Sequence, residues 1–328
     1  MRLRLPLNAA AAGLAALAAL VLCAPAGATS PAKLLAKFQP VIRFDPLEAF
    51  RPTTVESFVE DTDLERLTGP NTWTVVDPTP EADALPGPGS GIWRLNHDVC
   101  TSAVGLASVA CYRAAGEDGR NVVYGRVTAG ADRIVLQYWY FYDDNFYSYE
   151  YPPTDFIWQA HEGDWEVVNV VLTDTGRPLF TAYSQHCLGE RRAWLDTPRW
   201  RGHHPIVYVA VGSHANYYVP GTHPIDVRCI PAQAIAILQQ AGLALPVDYA
   251  AEGPAAGPAK LDGEETAIVR VGDDGPSWLA FPGFWGELEF FHGPAPVGTV
   301  PSGPSPVGPA YHAVWREPLA TLATWTEG

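Results

Sequence analysis

The sequence predicts an all-β protein, an antiparallel β-sandwich with long loops and one or two short peripheral helices, and three observations carry that reading. Short segments rich in Val, Ile, Tyr and Trp recur along the chain, each bounded by Gly, Pro, Asp or Asn. The 328 residues include 30 glycines and 31 prolines, the punctuation that many turns require. A helical apolar period stands out in one segment only.

Taken in order, the chain opens on a targeting segment. Arg2 and Arg4 precede an apolar run from Ala9 to Leu22, and Ala26-Gly-Ala28 supplies small residues for cleavage before Thr29. Residues 1–28 are therefore expected to be removed as a secretory signal peptide, leaving 29–328 as a single secreted, extracellular β-sandwich domain. Leu22 is too large for a lipoprotein site at Cys23, and no later stretch is apolar for long enough to span a bilayer. Strands are expected at 40–44, 121–127, 134–142, 165–172, 179–184, 205–211 and 266–271. A helix is expected over Ala232–Ala241, opened by Pro231 and closed by Gly242, with Ala234, Ile237 and Leu238 on its apolar side. Gly/Pro-rich loops fall near 250–260 and 293–309. The stretch Asn145–Ala160 reads as a further loop, carrying Phe146, Tyr147, Tyr149, Tyr151, Phe156 and Trp158. Such rings suit stacking on sugar faces or insertion at a lipid headgroup boundary, or they cover one end of the sandwich.

Lys and Arg total 21 against 36 Asp and Glu, a formal net charge of -15, which argues against nucleic acid as a partner and for cations. Four cysteines remain after cleavage. An even number in an exported chain favours two disulfides, and proximity suggests Cys100 with Cys111, leaving Cys187 with Cys229. No Cys-x-x-Cys pair is present to bind a metal.

The chemistry concentrates in Gln159-Ala-His-Glu-Gly-Asp-Trp-Glu166, which runs into the apolar stretch 167–172. If Asp164 opens a strand, Asp164 and Glu166 project to one face while Trp165 and Val167 project to the other. His161, on the entering loop, adds a nitrogen to the same point, giving a donor set suited to a divalent cation. The alternative is a solvated strand edge with a chance histidine. Upstream, period-two counting puts Asp144 on the face of Tyr138, Tyr140 and Tyr142. His214 and His186 each end a strand, as structural histidines often do, and are candidates for a general acid or base.

Several motifs then resemble known families. Lys37-Phe-Gln-Pro40, Val123-Tyr-Gly-Arg126, Trp139-Tyr-Phe141 with Asp144, and His161-Glu-Gly-Asp-Trp-Glu166 stand in the order found in the necrosis-inducing, Nep1-like cytolysins. Closer still, Asp45-Pro-Leu-Glu48, His161–Glu166, His204–Tyr217 and Phe284-Trp-Gly286 are similar to the family named after vacuolar protein sorting-associated protein 62. Resemblance to the cytolysins implies a β-sandwich and a cation held by Asp144, His161, Asp164 and Glu166, in a cavity that recognises sphingolipid sugar headgroups. The cytolysin heptapeptide begins with Gly and carries an Arg and a second His that are absent here.

Three functions follow. One is a secreted module that binds a carbohydrate or a lipid headgroup, at a membrane surface where the ligand is a lipid, through a divalent cation, Ca²⁺ or Mg²⁺. The second is a metal-assisted hydrolase using His214 or His186, with Asp45 and Glu48 as further candidates; no Gly-x-Ser-x-Gly elbow supports serine hydrolysis. The third is a structural or interaction domain stapled by the cation.

Overall fold

A computed structural model describes residues 29–116, 121–151, 155–240, 242–272 and 274–328. The expected signal peptide and Ala241 lie outside these residues, as do the side chains of Tyr149, Tyr151 and Phe156. Helix α1 (Pro31–Phe38) begins where Ser30 accepts a hydrogen bond from the Lys33 N–H and Pro31 occupies the first turn; it buries Leu34, Leu35 and Phe38. Strand β1 (Val41–Phe44) and helix α2 (Val55–Glu60), capped by Thr54, follow. A small sheet then forms from β2 (Thr62–Gly69), β3 (Thr72–Asp77) and β4 (Trp93–His97), completed by Phe284–Trp285. Helix α3 (Leu106–Ala115) precedes β5 (Val122–Ala129) and two strands of 19 residues, β6 (Arg133–Tyr151) and β7 (Asp155–Thr173). Next come β8 (Pro178–Gln185), β9 (Leu188–Ala193), β10 (Arg199–Trp200), β11 (His204–Val209), β12 (Asn216–Tyr217) and helix α4 (Ala232–Gln240).

The strands sort into three layers and a separate two-stranded ribbon, Gly221–Pro224 with Val247–Ala250. A nine-stranded central sheet runs Ala267–Arg270, β5, β6, β7, β8, β9, Thr326–Glu327, with the hairpin Glu289–Gly293/Gly298–Gly303 joined to the start of β7. Along β6 and β7, Trp139, Phe141, Trp165 and Val167 turn to one face and pack with Phe58, Leu95, Trp278 and Trp285 beside the small sheet. Tyr138, Tyr140, Tyr142, Val168 and Val170 turn to the other and pack with Leu35, Phe38, Phe44 and Val209 from α1, β1 and β11. The period of two therefore sorts one hairpin between two cores. Burying each large apolar side chain stabilises by about 1.5–3 kcal/mol.

The all-β class holds, and the details differ from expectation. The sheets are mixed rather than antiparallel: β1 pairs parallel with β11, and β5 with Ala267–Arg270. Helices α1, α2 and α3 lie where the sequence showed no sustained period; α1 and α2 are short and capped by Ser30 and Thr54, α3 has no side-chain cap, and tertiary burial holds all three. The largest correction is the expected loop 145–160. Residues up to Tyr151 and from Asp155 continue the β6–β7 ladder, in register from Arg133↔Thr173 to Tyr151↔Asp155. Asp143, Asp144 and Asn145 have poor strand propensity, but pairing on a long partner overrides it. His161 accordingly sits within β7, not on an entering loop.

Both disulfides form, Cys100–Cys111 with Cα atoms 5.8 Å apart and Cys187–Cys229 with 5.3 Å, the pairing that proximity suggested. Among the described residues no helix is long and apolar enough to cross a membrane.

Candidate functional site

Past the midpoint of the β6–β7 ladder the face that carries Tyr138 and Tyr140 turns from aromatic to charged. Gly163 has φ +57°, and a Cβ there would lie 2.2 Å from the Trp285 carbonyl oxygen, so only glycine fits this bend in β7. Immediately beyond it Asp164 stands opposite Tyr142, with Glu166 opposite Tyr140.

The turn after β11 delivers the partner. Gly212, at φ +74°, passes so close to β6 that a Cβ would meet the Phe146 carbonyl oxygen at 2.0 Å, and His214 follows at φ +53°. Its ring stacks on Tyr142 with centroids 3.8 Å apart and planes at 2°. Nδ1 donates to Asp164 Oδ2 at 2.9 Å, and Nε2 faces Glu48 Oε1 at 3.5 Å. Glu48 accepts in addition from the N–H groups of Phe50 (2.8 Å) and Gly212 (2.6 Å). All three side chains are buried. Burial works against a charged His214, but the nearby Glu48 carboxylate and the hydrogen bond to Asp164 prevail, and the imidazole is pushed up to about 10. The same imidazolium holds Glu48 and Asp164 below the usual carboxylate range against the cost of burial. Glu48–His214–Asp164 is thus a buried ion triad.

The other predicted ligands point elsewhere. Glu166 is hydrogen-bonded by the Ser184 hydroxyl and by Asn216 Nδ2 at 3.1 Å; burial, then the charge of Asp164, raises its pKa. Asp144 accepts from Ser102 Oγ at 2.8 Å, its Oδ2 has no hydrogen-bond partner, and burial raises it strongly. His161 turns Nδ1 to the Glu162 and Gly163 carbonyl oxygens at 3.2 and 3.1 Å and lies near enough to lower Asp164. Three carboxylates and an imidazole are the right chemistry for a hard cation, yet among the described residues no group of three or more His, Cys, Asp or Glu is placed to hold a metal ion. In this arrangement their oxygens, Asp144 Oδ2 excepted, turn to separate hydrogen-bond donors.

What the sequence did not announce is the cavity beside Asp164. About 80 Å³ in volume, it is lined by Asn145, Tyr147, Gln159, His161, His186 and Ser213, among others. Asn145 Nδ2 bridges from Asp164 Oδ2 (3.4 Å) to the Ser213 carbonyl oxygen (3.3 Å). On the far wall Asp248 gathers three donors: His186 Nε2 at 2.7 Å, Ser213 Oγ at 2.6 Å and Tyr217 OH at 2.5 Å. Burial opposes its charge, but His186 lowers Asp248 overall, and Asp248 in turn raises His186. Of the two candidate histidines, His214 therefore reaches the acidic cluster while His186 borders the cavity. Asp248 and Asn145 lie in no motif, and Asn216, though within the 204–217 stretch, was not singled out there; their spatial convergence reveals them.

No family model and no curated protein matches the chain, so the resemblance to the vacuolar protein sorting 62 family finds no support there. Among solved structures it is similar to "NLPPya in complex with mannosamine", at 13% identity over 60% of this chain and 71% of that one, with a TM-score of 0.34. It is similar also to "Toxin fold for microbial attack and plant defense", at 13% identity over 60% and 71% with a TM-score of 0.31. A third is Necrosis and Ethylene inducing Protein 2 from the causal agent of cocoa's witches' broom disease, at 17% identity over 66% and 82% with a TM-score of 0.30. All three similarities are of low identity and low structural overlap, and what those proteins bind stays with them.

Proposed function

We propose that this protein is an extracellular recognition module that binds a hydroxyl-rich headgroup, of a carbohydrate or glycolipid, in the cavity beside Asp164. The observation that carries the reading is the cavity's lining: the residues around one small space include two amides, two imidazoles and two hydroxyl side chains, the hydroxyls held by Val247 and Asp248, with the Asp164 carboxylate behind Asn145. Donors and acceptors converging in several directions recognise hydroxyl groups, which both give and take hydrogen bonds.

Hydrolysis has less support. Ser213 donates to Asp248 rather than to an imidazole, so it has no base, and His214 is fully buried and cationic at neutral pH. A cation at Asp164, with His161, Glu166 and Asp144 as ligands, is the second reading, favoured by Asp144 Oδ2, a fully buried carboxylate oxygen without a donor.

A glycan array probed with the wild type, His161→Ala and Gln159→Ala tests the first reading. Saturable binding to a small set of glycans, weakened at least tenfold by either substitution and accompanied by no turnover, is expected. Binding untouched by both variants would remove the cavity from the function. Elemental analysis of wild type and Asp164→Asn separates the second reading, since stoichiometric metal lost in the variant is its signature.

A further inference from the structure

The β6 segment 145–148 has a second side. Asn145 and Tyr147 line the cavity already described, whereas Phe146 and Ser148 line a cleft of about 590 Å³ together with Asp45, Leu47 and Glu48 of the 45–48 motif and Val211 and Gly212 of the 204–217 stretch. That volume is in the range of about 300–1,000 Å³ typical of small-molecule sites. Its walls are mostly apolar, formed by Phe50, Leu106, Val109, Phe146, Val211 and Tyr249. At its mouth Leu47 is 80% exposed, Leu106 64% and Tyr249 46%, large apolar side chains that solvent alone does not favour.

Charge selects the occupant. The charged lining residues are Asp45 and Glu48, and no Lys, Arg or His is among them. Glu48 is committed to two backbone N–H groups and His214, but Asp45, buried at the floor with Oδ1 on the Leu47 N–H at 2.9 Å, pairs with no cationic side chain among the described residues. Since His214 offsets the charge of Glu48, a phosphate, sulfate or carboxylate headgroup would enter against the Asp45 carboxylate. An ammonium is attracted by it, and the rings of Phe50, Phe146 and Tyr249 in the lining are of the kind that favours a cation.

We infer that this cleft is a second binding site, for a small organic cation with an apolar body, its ammonium directed to Asp45 and its hydrocarbon held between Phe50, Leu106, Phe146 and Tyr249. The site is separate from the headgroup cavity and does not depend on it.

Isothermal titration of the full mature chain with octyltrimethylammonium below its micellar concentration, in parallel with octyl sulfate and octanol, tests this. One equivalent of the ammonium should bind, at least tenfold more tightly than octanol, and octyl sulfate should not bind. Asp45→Asn should abolish the preference of ammonium over octanol. Leu106→Gln, an exposed change that leaves the fold alone, should weaken both at least threefold. Equal binding of ammonium and sulfate, an undiminished preference in Asp45→Asn, or no saturable heat at all would overturn the inference.

Discussion

The two faces of the β6–β7 hairpin are made by the same strands and differ in almost everything else. On one, Phe141 and Trp165 lie 4.7 Å apart between ring centroids, and Trp165, Trp278 and Trp285 meet in stacked and edge contacts of 5.4 to 6.0 Å. The charged groups on that side stand at its edges, where Arg126 lies over Trp315 at 4.1 Å and Asp143 is buried two residues beyond Phe141. On the other, a ladder of three tyrosines gives way to Asp164, Glu166 and a histidine that stacks on the last of them. The difference teaches where stability and recognition are kept. The dry face tolerates no loss of volume, while the charged face holds groups whose desolvation is offset only by each other.

The largest test of this division is on the dry side. Trp285→Ala should cost about 3–5 kcal/mol in urea unfolding, through the cavity left among Phe58, Phe141 and Trp165, with ligand affinity unchanged in whatever remains folded. On the charged side Asp164→Asn should cost about 3 kcal/mol, since His214 is left buried with Glu48 alone, and it should abolish glycan binding too. A cost below 1 kcal/mol there would dissolve the contrast.

The faces should also separate by pH. His214 is raised from 6.5 to about 10, so its contribution is fully present below the unfolded value and is lost as pH rises through the folded one. Asp143 and Glu162, pushed up to about 8 chiefly by burial, act with the same sign from the usual carboxylate range upward. Glu48 and Asp164, held low, lose their contribution only at the acid end, below about pH 4. Scanning calorimetry should therefore show the melting temperature falling steadily between about pH 5 and 10, and His214→Gln should flatten the upper half of that fall. The smallest effect is expected at the cavity wall. His186→Ala leaves Asp248 with Ser213 and Tyr217, costing about 1–2 kcal/mol, while glycan affinity falls more than stability does.

Much of the central sheet was legible because its strands alternate cleanly: 134–142 and 165–172 were read from Val, Trp and Tyr at a period of two, and both lie within β6 and β7. Their extensions were hidden, since Asp143, Asp144 and Asn145 read as a strand end while the ladder runs on. The motif at 161–166 located the charged site, and Glu48 and His214 were visible as candidates. Their union in one ion triad was not, because 116 residues or more separate Glu48 from either partner in sequence and nothing local encodes that meeting. Asp248 had no signal at all for the same reason, being 62 residues from His186.

The alternation of residues 145 to 148 between two chambers has a further meaning. A sliding of β6 by one position against β7 would exchange the linings, giving the amide and phenol to the large chamber and the phenyl ring and hydroxyl to the small one. What each chamber accepts is therefore stored in a single choice of alignment, the one register that β6 and β7 keep from end to end.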